Sequence, residues 1–179
     1  VLDGQLIKPG NFVFNNRKEF LVSFLPLVVQ LHHDISKQPE QINLFYESEL
    51  LQASFEELLK LNRSRDCIAQ RTTSGIHRDE LEIQLAGKDF KNIASQGQRK
   101  SLLFALKLAE MEVLKREKGF TPLLLLDDVF EKLDEDRISN LLKKVCLQND
   151  GQVFITDTNE ERLKTHLDQL GISFQLIRP

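Results

Sequence analysis

The sequence lacks the features of several common protein classes. Only two of its 179 residues are cysteines, Cys67 and Cys146, and they form no CxxC pair. A disulfide-stapled secreted domain or a cysteine-ligated zinc site is therefore not expected. No apolar run approaches the ~20 residues that cross a bilayer, and no secretory signal opens the chain. Together these absences predict a protein of the reducing cytoplasm with no membrane partner.

An initiator residue is also missing. The single methionine is Met111 and the chain starts at Val1, which favours a fragment or a processed product. The remaining composition, with 41 % hydrophobic and 28 % charged residues, is that of an ordinary globular domain with a buried core.

Charge is distributed unevenly along the chain. The net charge of −3 argues against a general polyanion binder, but residues 61–107 carry nine Lys and Arg against five Asp and Glu. Residues 108–138 carry five against nine. One surface could therefore face phosphate while another binds a metal ion.

The first part of the chain is predicted to be mainly helical. Apolar residues recur at helical spacing over Arg17–Ser36, and Pro26 predicts a kink or a break there. Gln41–Glu47 alternates like a short strand. Ser54, followed three residues later by Glu57, has the spacing of a capping box at the start of another helix.

A boundary is predicted near residue 75, between a helical portion (1–74) and an α/β portion (75–179). The expected elements of the second portion are a strand around Leu81–Leu85 with its hairpin turn, an all-round buried helix at Ser101–Lys115, a strand at Leu123–Leu126, a helix at Asp134–Leu147, a strand at Gln152–Thr156, a helix at Glu160–Leu170 ended by Gly171, and a last strand at Phe174–Ile177. Alternation of strands and helices is typical of α/β folds with mostly parallel sheets.

Two adjacent carboxylates form the strongest local signal. Asp127 and Asp128 follow Leu123–Leu126, an aliphatic run expected to form a central strand buried on both faces. Ligands of open α/β sheets bind at the carboxyl ends of the strands. Because neighbouring carboxylates repel each other, a cation such as Mg²⁺ with nucleotide phosphate would stabilise the pair. Two solvated aspartates at a turn are the alternative.

A second signal stands directly before the buried helix, at Ser95–Lys100. Ser95 is a good helix cap, and Gly97 lets a ligand approach the backbone closely. Free N–H groups at a helix start attract anions. Arg99 and Lys100 place positive charge where it opposes the helix dipole. The stretch indicates a phosphate-binding helix start, or else an ordinary cap with solubilising charges.

With these segments in order, the chain resembles the ATP-binding-cassette ATPases, and among them the RecF family, a DNA-repair relative of the SMC-type heads. The matching segments are Gly75–Leu81 (the Gly-Pro-His-Arg-Asp-Asp-Leu segment, with Ile76 for proline), Ala94–Gln98 (the signature loop, with Gln96 where transporters have glycine), Leu123–Asp128 (Walker B), Glu131–Asp134 (the D-loop) and Gln152–Thr158 (the switch segment). The resemblance implies the carboxyl-terminal lobe of a cassette head, preceded by part of a helical arm.

The resemblance also implies roles for individual residues. Asp127 would hold Mg²⁺, and Asp128 would be the catalytic residue that orients or deprotonates the attacking water. Thr156 would sense the γ-phosphate of ATP, and Asp134 would lie across a dimer interface. The signature residues would bind ATP held by a partner subunit; they are Ser95, Gln96, Gly97 and Gln98.

The phosphate-binding P-loop is absent. It requires glycine, four residues and then Gly-Lys-Ser/Thr, and the single Gly-Lys pair, Gly87-Lys88, is followed by Asp89. Since nothing else here could wrap the β- and γ-phosphates, we expect the chain alone to be catalytically inactive.

For the full-length protein the resemblance implies a DNA-repair ATPase. It would bind ATP, Mg²⁺ and gapped DNA, form an ATP-dependent homodimer and help recombination mediator proteins to load recombinase. His77 and Arg78 could pack structurally or contact DNA phosphate. The alternative for the whole chain is a non-catalytic DNA- or repair-protein-binding module with an ATPase-like base. A transporter head fits less well, because it does not usually return from a helical arm through a His-Arg-Asp segment.

Overall fold

The chain opens with one long helix, α1, which runs from Leu2 to Ser36. The computed structural model describes residues 2–129 and 131–177. The other elements are α2 (Phe55–Ala69), α3 (Phe90–Ile93), α4 (Gln96–Lys118), α5 (Glu135–Leu142) and α6 (Glu160–Gln169), with strands β1 (Ile42–Glu47), β2 (Glu80–Leu85), β3 (Lys88–Asp89), β4 (Leu124–Leu126) and β5 (Val153–Ile155). Short 3₁₀ turns lie at Glu49–Leu51 and Ile76–Arg78, and a π-helical turn at Lys143–Leu147 extends α5. The predicted α/β class is confirmed. None of the helices in this part of the chain combines the length and apolar character that crossing a membrane requires.

Two compact units make up the chain. The first contains the residues up to Pro26 together with Gln41–Asn92, and the second contains Leu27–Glu40 together with the residues from Ile93 onward. The boundary predicted at residue 75 falls inside the first unit, because β2 pairs with β1 there. The functional division into an arm and a head stays a prediction.

Helix α1 is longer than the sequence pattern indicates. It contains both Pro9 and Pro26, so the break considered at Pro26 is wrong. Proline removes one intrahelical hydrogen bond, but Pro26 is exposed, and water can satisfy the carbonyl that the missing N–H leaves open.

The first unit contains an antiparallel sheet in the order β1-β2-β3. The register runs from Ile42 opposite Leu85 to Glu47 opposite Glu80. Ala86 and Gly87 connect β2 to β3 with φ angles of 50° and 75°, the positive values that a two-residue hairpin turn requires. The predicted strand at 41–47 and the predicted hairpin are both confirmed.

One phenylalanine ring organises the core of the first unit. Phe55 opens α2, directly after the capping residue Ser54, and its ring lies against the backbone of both Gly10 and Gly75. A Cβ at Gly75, where φ is +123°, would lie 2.6 Å from the ring. Phe55 forms a buried cluster with Leu50, Leu58 and Leu59, and the partly buried residues packed against this cluster are Ile7, Phe14, Ala53 and Ile76.

The second unit contains the parallel pair β4-β5, with Leu124 opposite Val153 and Leu126 opposite Ile155. Two expectations of complete burial are wrong here. Leu125 is 72 % exposed between its buried neighbours, and Leu103 on α4 is 54 % exposed. Each side chain lies on a face that no described element covers, which an aliphatic run alone does not reveal.

The last described residues depart from the pattern as well. Helix α6 ends as predicted, with Gly171 just beyond it at a φ of +66°. The strand expected at Phe174–Ile177 is wrong, because residues 172–177 have no regular structure. Strands form where a neighbour accepts their backbone hydrogen bonds, and alternation of apolar residues does not supply that neighbour.

Candidate functional site

The paired carboxylates lie where the sequence predicts them, at the carboxyl end of β4. Asp127 and Asp128 are both exposed. Asp128 has a φ of 49°, a left-handed conformation that non-glycine residues adopt uncommonly. The chain therefore turns sharply immediately after the strand, which leaves two adjacent carboxylates at the sheet edge.

The neighbouring strand brings Thr156 to the same edge. Its backbone N–H donates to the carbonyl of Leu126 at 2.9 Å, continuing the β4-β5 pairing by one residue. Its hydroxyl donates to the Asp127 carboxylate. The structure thus brings together the predicted metal-binding residue and the predicted γ-phosphate sensor through a direct hydrogen bond.

An open cleft of about 350 Å³ lies beside Asp128. It is lined by Asp128, Glu131, Asp157, Thr158, Asn159 and Arg162. The loops that follow β4 and β5 therefore share one surface depression, as expected for the ligand edge of a parallel sheet.

The donor set at this edge suits Mg²⁺ only together with a phosphate ligand. Within residues 2–129 and 131–177 no three His, Cys, Asp or Glu side chains converge as a metal cage. Mg²⁺ usually takes one or two carboxylates and completes its shell with water and substrate phosphate oxygens. Asp127 and Asp128 supply such a partial set.

The predicted signature residues form the start of α4. Ser95 is the helix cap: its hydroxyl accepts from the Gln98 N–H at 3.2 Å, and the Gln98 side chain accepts from the Ser95 N–H at 2.8 Å. Gln96 is exposed and Gly97 partly exposed in the first turn. Because the first N–H groups of a helix have no intrahelical acceptor, this end can bind an anion.

The same helix start touches the loop that precedes α5. A Cβ added at Gly97 would lie 3.0 Å from the carbonyl oxygen of Lys132. Lys100 donates through its ammonium group to the backbone carbonyl of Asp128. The predicted signature loop and D-loop thus pack against each other within the second unit.

Asp134 caps α5 by accepting from the Arg137 N–H at 2.9 Å. Arg137 also reaches Ser101 and Glu40, and Glu40 accepts from Gln98. Sequence reasoning missed these connecting residues. One signal existed, since Arg137 stands in the first turn of a helix, where its charge opposes the dipole.

The His-Arg-Asp segment lies in the first unit. His77 and Arg78 are exposed, and a ring nitrogen of His77 is 3.1 Å from the Thr72 carbonyl. The side chain of Asp79, which the sequence did not single out, is only 4 % exposed. It accepts from Arg17 at 2.9 Å and from the Tyr46 hydroxyl at 2.6 Å. The pKa of Tyr46 is raised, mainly by burial of its hydroxyl and to a smaller extent by the hydrogen bond to Asp79.

Comparison with known sequences gives consistent matches. No protein-family model matches the chain. The chain is 42 % identical over 178 residues to the DNA replication and repair protein RecF of Bacteroides fragilis, covering 99 % of this chain and 48 % of that protein. The protein of the same name from Flavobacterium johnsoniae is 41 % identical over 162 residues, 90 % of this chain and 45 % of that protein. The chain spans about half the length of the curated relatives it matches.

Solved structures with a similar fold include the recombination mediator protein RecF-ATP in the RecFOR pathway, with a TM-score of 0.71 and 27 % identity. That match covers 89 % of this chain and 44 % of the other. The RecF-ATPrS structure gives a TM-score of 0.70 over the same coverage.

Proposed function

The chain is homologous to RecF proteins over nearly its whole length, and from that premise we propose that it forms the carboxyl-terminal half of a DNA-repair ATPase. In this proposal it supplies the signature loop, the Walker B carboxylates and the D-loop of a cassette head. A P-loop in the remaining half of the full-length protein binds the β- and γ-phosphates.

The hydrogen bond from Thr156 to Asp127 carries the proposal. It joins the ends of two parallel strands at the edge where α/β sheets bind ligands. Structural aspartates that merely end a strand have no need of a partner from the next strand. A carboxylate oriented in this way is suited to a metal ion bound with nucleotide phosphate.

Each residue at the edge then has a definite task. Asp127, oriented by Thr156, would hold Mg²⁺, and the bound ion would supply positive charge for phosphoryl transfer. Asp128 orients the attacking water and accepts its proton. The backbone turns sharply at Asp128, which has a left-handed conformation, and the open cleft lined by Asp128 has room for water and phosphate.

The start of α4 acts on a different nucleotide. Ser95, Gln96, Gly97 and Gln98 bind the γ-phosphate of ATP held by a partner subunit, and Asp134 lies across the same interface. Two subunits therefore enclose two ATP molecules, and hydrolysis releases the dimer. The first turn of α4 supports this assignment, because Gln96 is exposed and Gly97 partly exposed, and the first N–H groups of a helix have no intrahelical acceptor.

In the cell the full-length protein acts in the cytoplasm, away from membranes. It recognises DNA at single-strand/double-strand gaps and assists recombination mediator proteins in loading recombinase during repair and replication restart. The exposed His77 and Arg78 are available for DNA phosphate. Their exposure also suits the alternative function, a non-catalytic DNA- or repair-protein-binding module.

Two variants of the full-length protein and one control test the proposal. Asp128→Asn should abolish Mg²⁺-dependent ATP turnover and prolong the ATP dimer, since binding persists while hydrolysis stops. Asp136→Asn, an exposed change in the first turn of α5, is the control and should leave both unchanged. A mutant at Asp128 that fails to dimerise with ATP contradicts the role assigned to that residue. Asp127→Ala distinguishes the two functions. A non-catalytic module would keep its repair phenotype in this variant, whereas a cassette ATPase would lose it.

A further inference from the structure

One buried guanidinium lies at the centre of the second unit. Arg137 is 6 % exposed. Its Nε donates to Asp134 Oδ2 at 3.0 Å, Nη1 to Ser101 Oγ at 2.8 Å and Nη2 to Glu40 Oε1 at 2.5 Å. Arginine stays protonated at any physiological pH, and a buried charge requires hydrogen-bonded partners. Each of the three guanidinium nitrogens therefore donates to a different chain segment.

Each partner belongs to a segment with a different task. Ser101 is fully buried on α4, the helix that starts with the signature residues, whereas Asp134 caps α5 at the end of the D-loop. Glu40 lies in the connector between α1 and β1. Glu40 also accepts from Gln98 at 3.1 Å, and Gln98 completes the capping box with Ser95. A continuous series of hydrogen bonds therefore links Ser95 to Asp134.

Glu40 is held as the counter-ion of Arg137. Its side chain is 11 % exposed. Its second oxygen lies 3.3 Å from Nε2 of the buried His32, without hydrogen-bond geometry. Burial lowers the pKa of His32, against the opposing effect of the Glu40 charge. The imidazole is therefore neutral near pH 7, and Arg137 supplies the positive charge.

Helix stability does not account for this arrangement. A positive side chain in the first turn of α5 opposes the helix dipole. A buried ion pair is also often no more stabilising than well-packed apolar residues of similar volume, and its best-attested benefit is a specified geometry. The geometry specified here is the relative placement of the start of α4 and the cap of α5.

We propose that Arg137 and Glu40 are positioning residues that hold the signature loop and the D-loop as one rigid surface tied to the connector after α1. This inference rests on the proposed function, in which both loops face nucleotide bound by the partner subunit. Because displacement of about 1 Å can cost on the order of 100-fold in rate, two loops that must meet one nucleotide gain from a common anchor.

The test uses the full-length protein with three variants. Glu40→Gln keeps the side-chain volume and removes the charge, and Arg137→Lys keeps the charge and removes the planar fork. The matched control is Asp34→Asn, a carboxylate-to-amide change in the same unit. Asp34 pairs with Lys144 at 3.2 Å, and within the described part of the chain no hydrogen bond or ion pair joins it to either loop.

Hydrogen–deuterium exchange without nucleotide is the first measurement. In Glu40→Gln and Arg137→Lys, amides of residues 95–98 and 131–134 should exchange about tenfold faster in both segments together. Asp34→Asn should match the wild type. Faster exchange in only one segment, or in neither, overturns the inference. If Arg137→Lys loses protection throughout the protein, a milder variant, Ser101→Ala, replaces it. Ser101→Ala removes a single hydrogen bond and should speed exchange in the same two segments to a smaller extent. Unchanged exchange in Ser101→Ala also overturns the inference.

ATP-dependent dimerisation and turnover are the second measurement. Both should fall by about 10- to 100-fold in Glu40→Gln and Arg137→Lys, whereas nucleotide affinity of the monomer should stay within about twofold. If Glu40→Gln and Arg137→Lys dimerise and turn over ATP as well as the wild type, the inference is contradicted. If the wild-type protein itself does not respond to ATP, the proposed function fails, while the exchange measurement still decides whether the two loops share an anchor.

Discussion

Gly97 and Lys132 touch backbone to backbone: a Cβ at residue 97 would lie 3.0 Å from the Lys132 carbonyl oxygen. Lys132 itself has a φ of +65°, so the loop before α5 is already constrained at the contact. The glycine of the predicted signature loop therefore has a role within the chain, in addition to allowing phosphate to approach.

Gly97→Ala tests that contact. In an ordinary helix this change is favourable by about 0.5–1 kcal/mol. At residue 97 we expect no such gain, because the added methyl must push the Lys132 backbone away, and we expect weaker ATP-dependent dimerisation of the full-length protein. Urea unfolding and sedimentation with ATP measure the two effects.

Gly4→Ala is the control for this prediction. Gly4 is exposed in α1, and a Cβ there would meet no atom within 4 Å. It should show the ordinary helical gain and normal dimerisation. Equal stabilisation by the two alanines would mean that the contact at Gly97 is not restrictive.

Two capping boxes of the same design allow a matched comparison. Ser54 exchanges hydrogen bonds with Glu57 at the start of α2, as Ser95 does with Gln98 at the start of α4. Ser54→Ala and Ser95→Ala should each cost about 1 kcal/mol in urea unfolding. Only Ser95→Ala should also impair ATP-dependent dimerisation. An equal loss of dimerisation in both would reduce the role of Ser95 to helix capping.

Thr156 should control the metal requirement. Thr156→Val removes the hydroxyl that donates to Asp127 and nearly preserves the side-chain shape. A less well oriented Asp127 should raise the Mg²⁺ concentration for half-maximal turnover by about 10-fold, the lower range for groups that orient a metal ligand. Thr156→Ser retains the hydroxyl and should behave like the wild type. An unchanged Mg²⁺ dependence in the valine variant would contradict the assignment.

His32 should make stability depend on pH. Burial lowers its folded-state pKa below 6.5, with Arg137 and His33 acting in the same direction and Glu40 opposing them. Below pH 6.5, His32 therefore binds a proton more readily in the unfolded chain than in the folded chain. The stabilisation is complete above pH 6.5 and is lost as the pH falls, by at most about 1.4 kcal/mol per pH unit.

Urea unfolding at pH 7.5 and pH 5.5 measures this effect. Between pH 7.5 and pH 5.5, the free energy of unfolding should fall by roughly 1 kcal/mol less in His32→Gln than in the wild type. His77→Gln, a change at an exposed histidine of the first unit, is the control. A wild-type pH dependence in His32→Gln would show that other groups account for the slope.

Local signals in the sequence predicted much of the fold because their causes are local. The Ser54–Glu57 cap, the Ala86–Gly87 turn and the strand before Asp127 each depend on a few adjacent residues. Exposure of Leu125 was not predictable, because it depends on which element covers that side of the sheet.

The hydrogen bonds within the site, in contrast, join residues that are far apart in the sequence. Arg137 and Glu40 are 97 residues apart, and the bond between Thr156 and Asp127 spans 29. Residue type and periodicity contain no information on such pairs. The sequence could therefore indicate which residues carry the chemistry, but not what holds them in place.

The measurement that tests the central claim most directly is ATP turnover in mixed dimers of the full-length protein. Asp128→Asn disables a subunit's own carboxylate, and Ser95→Glu places a negative charge against the partner's nucleotide; each variant alone should be inactive. If the signature loop acts across the dimer, a one-to-one mixture contains one intact site in half of its dimers. Turnover should then recover to at most about a quarter of the wild-type rate, the value for random pairing in a two-fold symmetric dimer. A mixture as inactive as its two components would contradict the account.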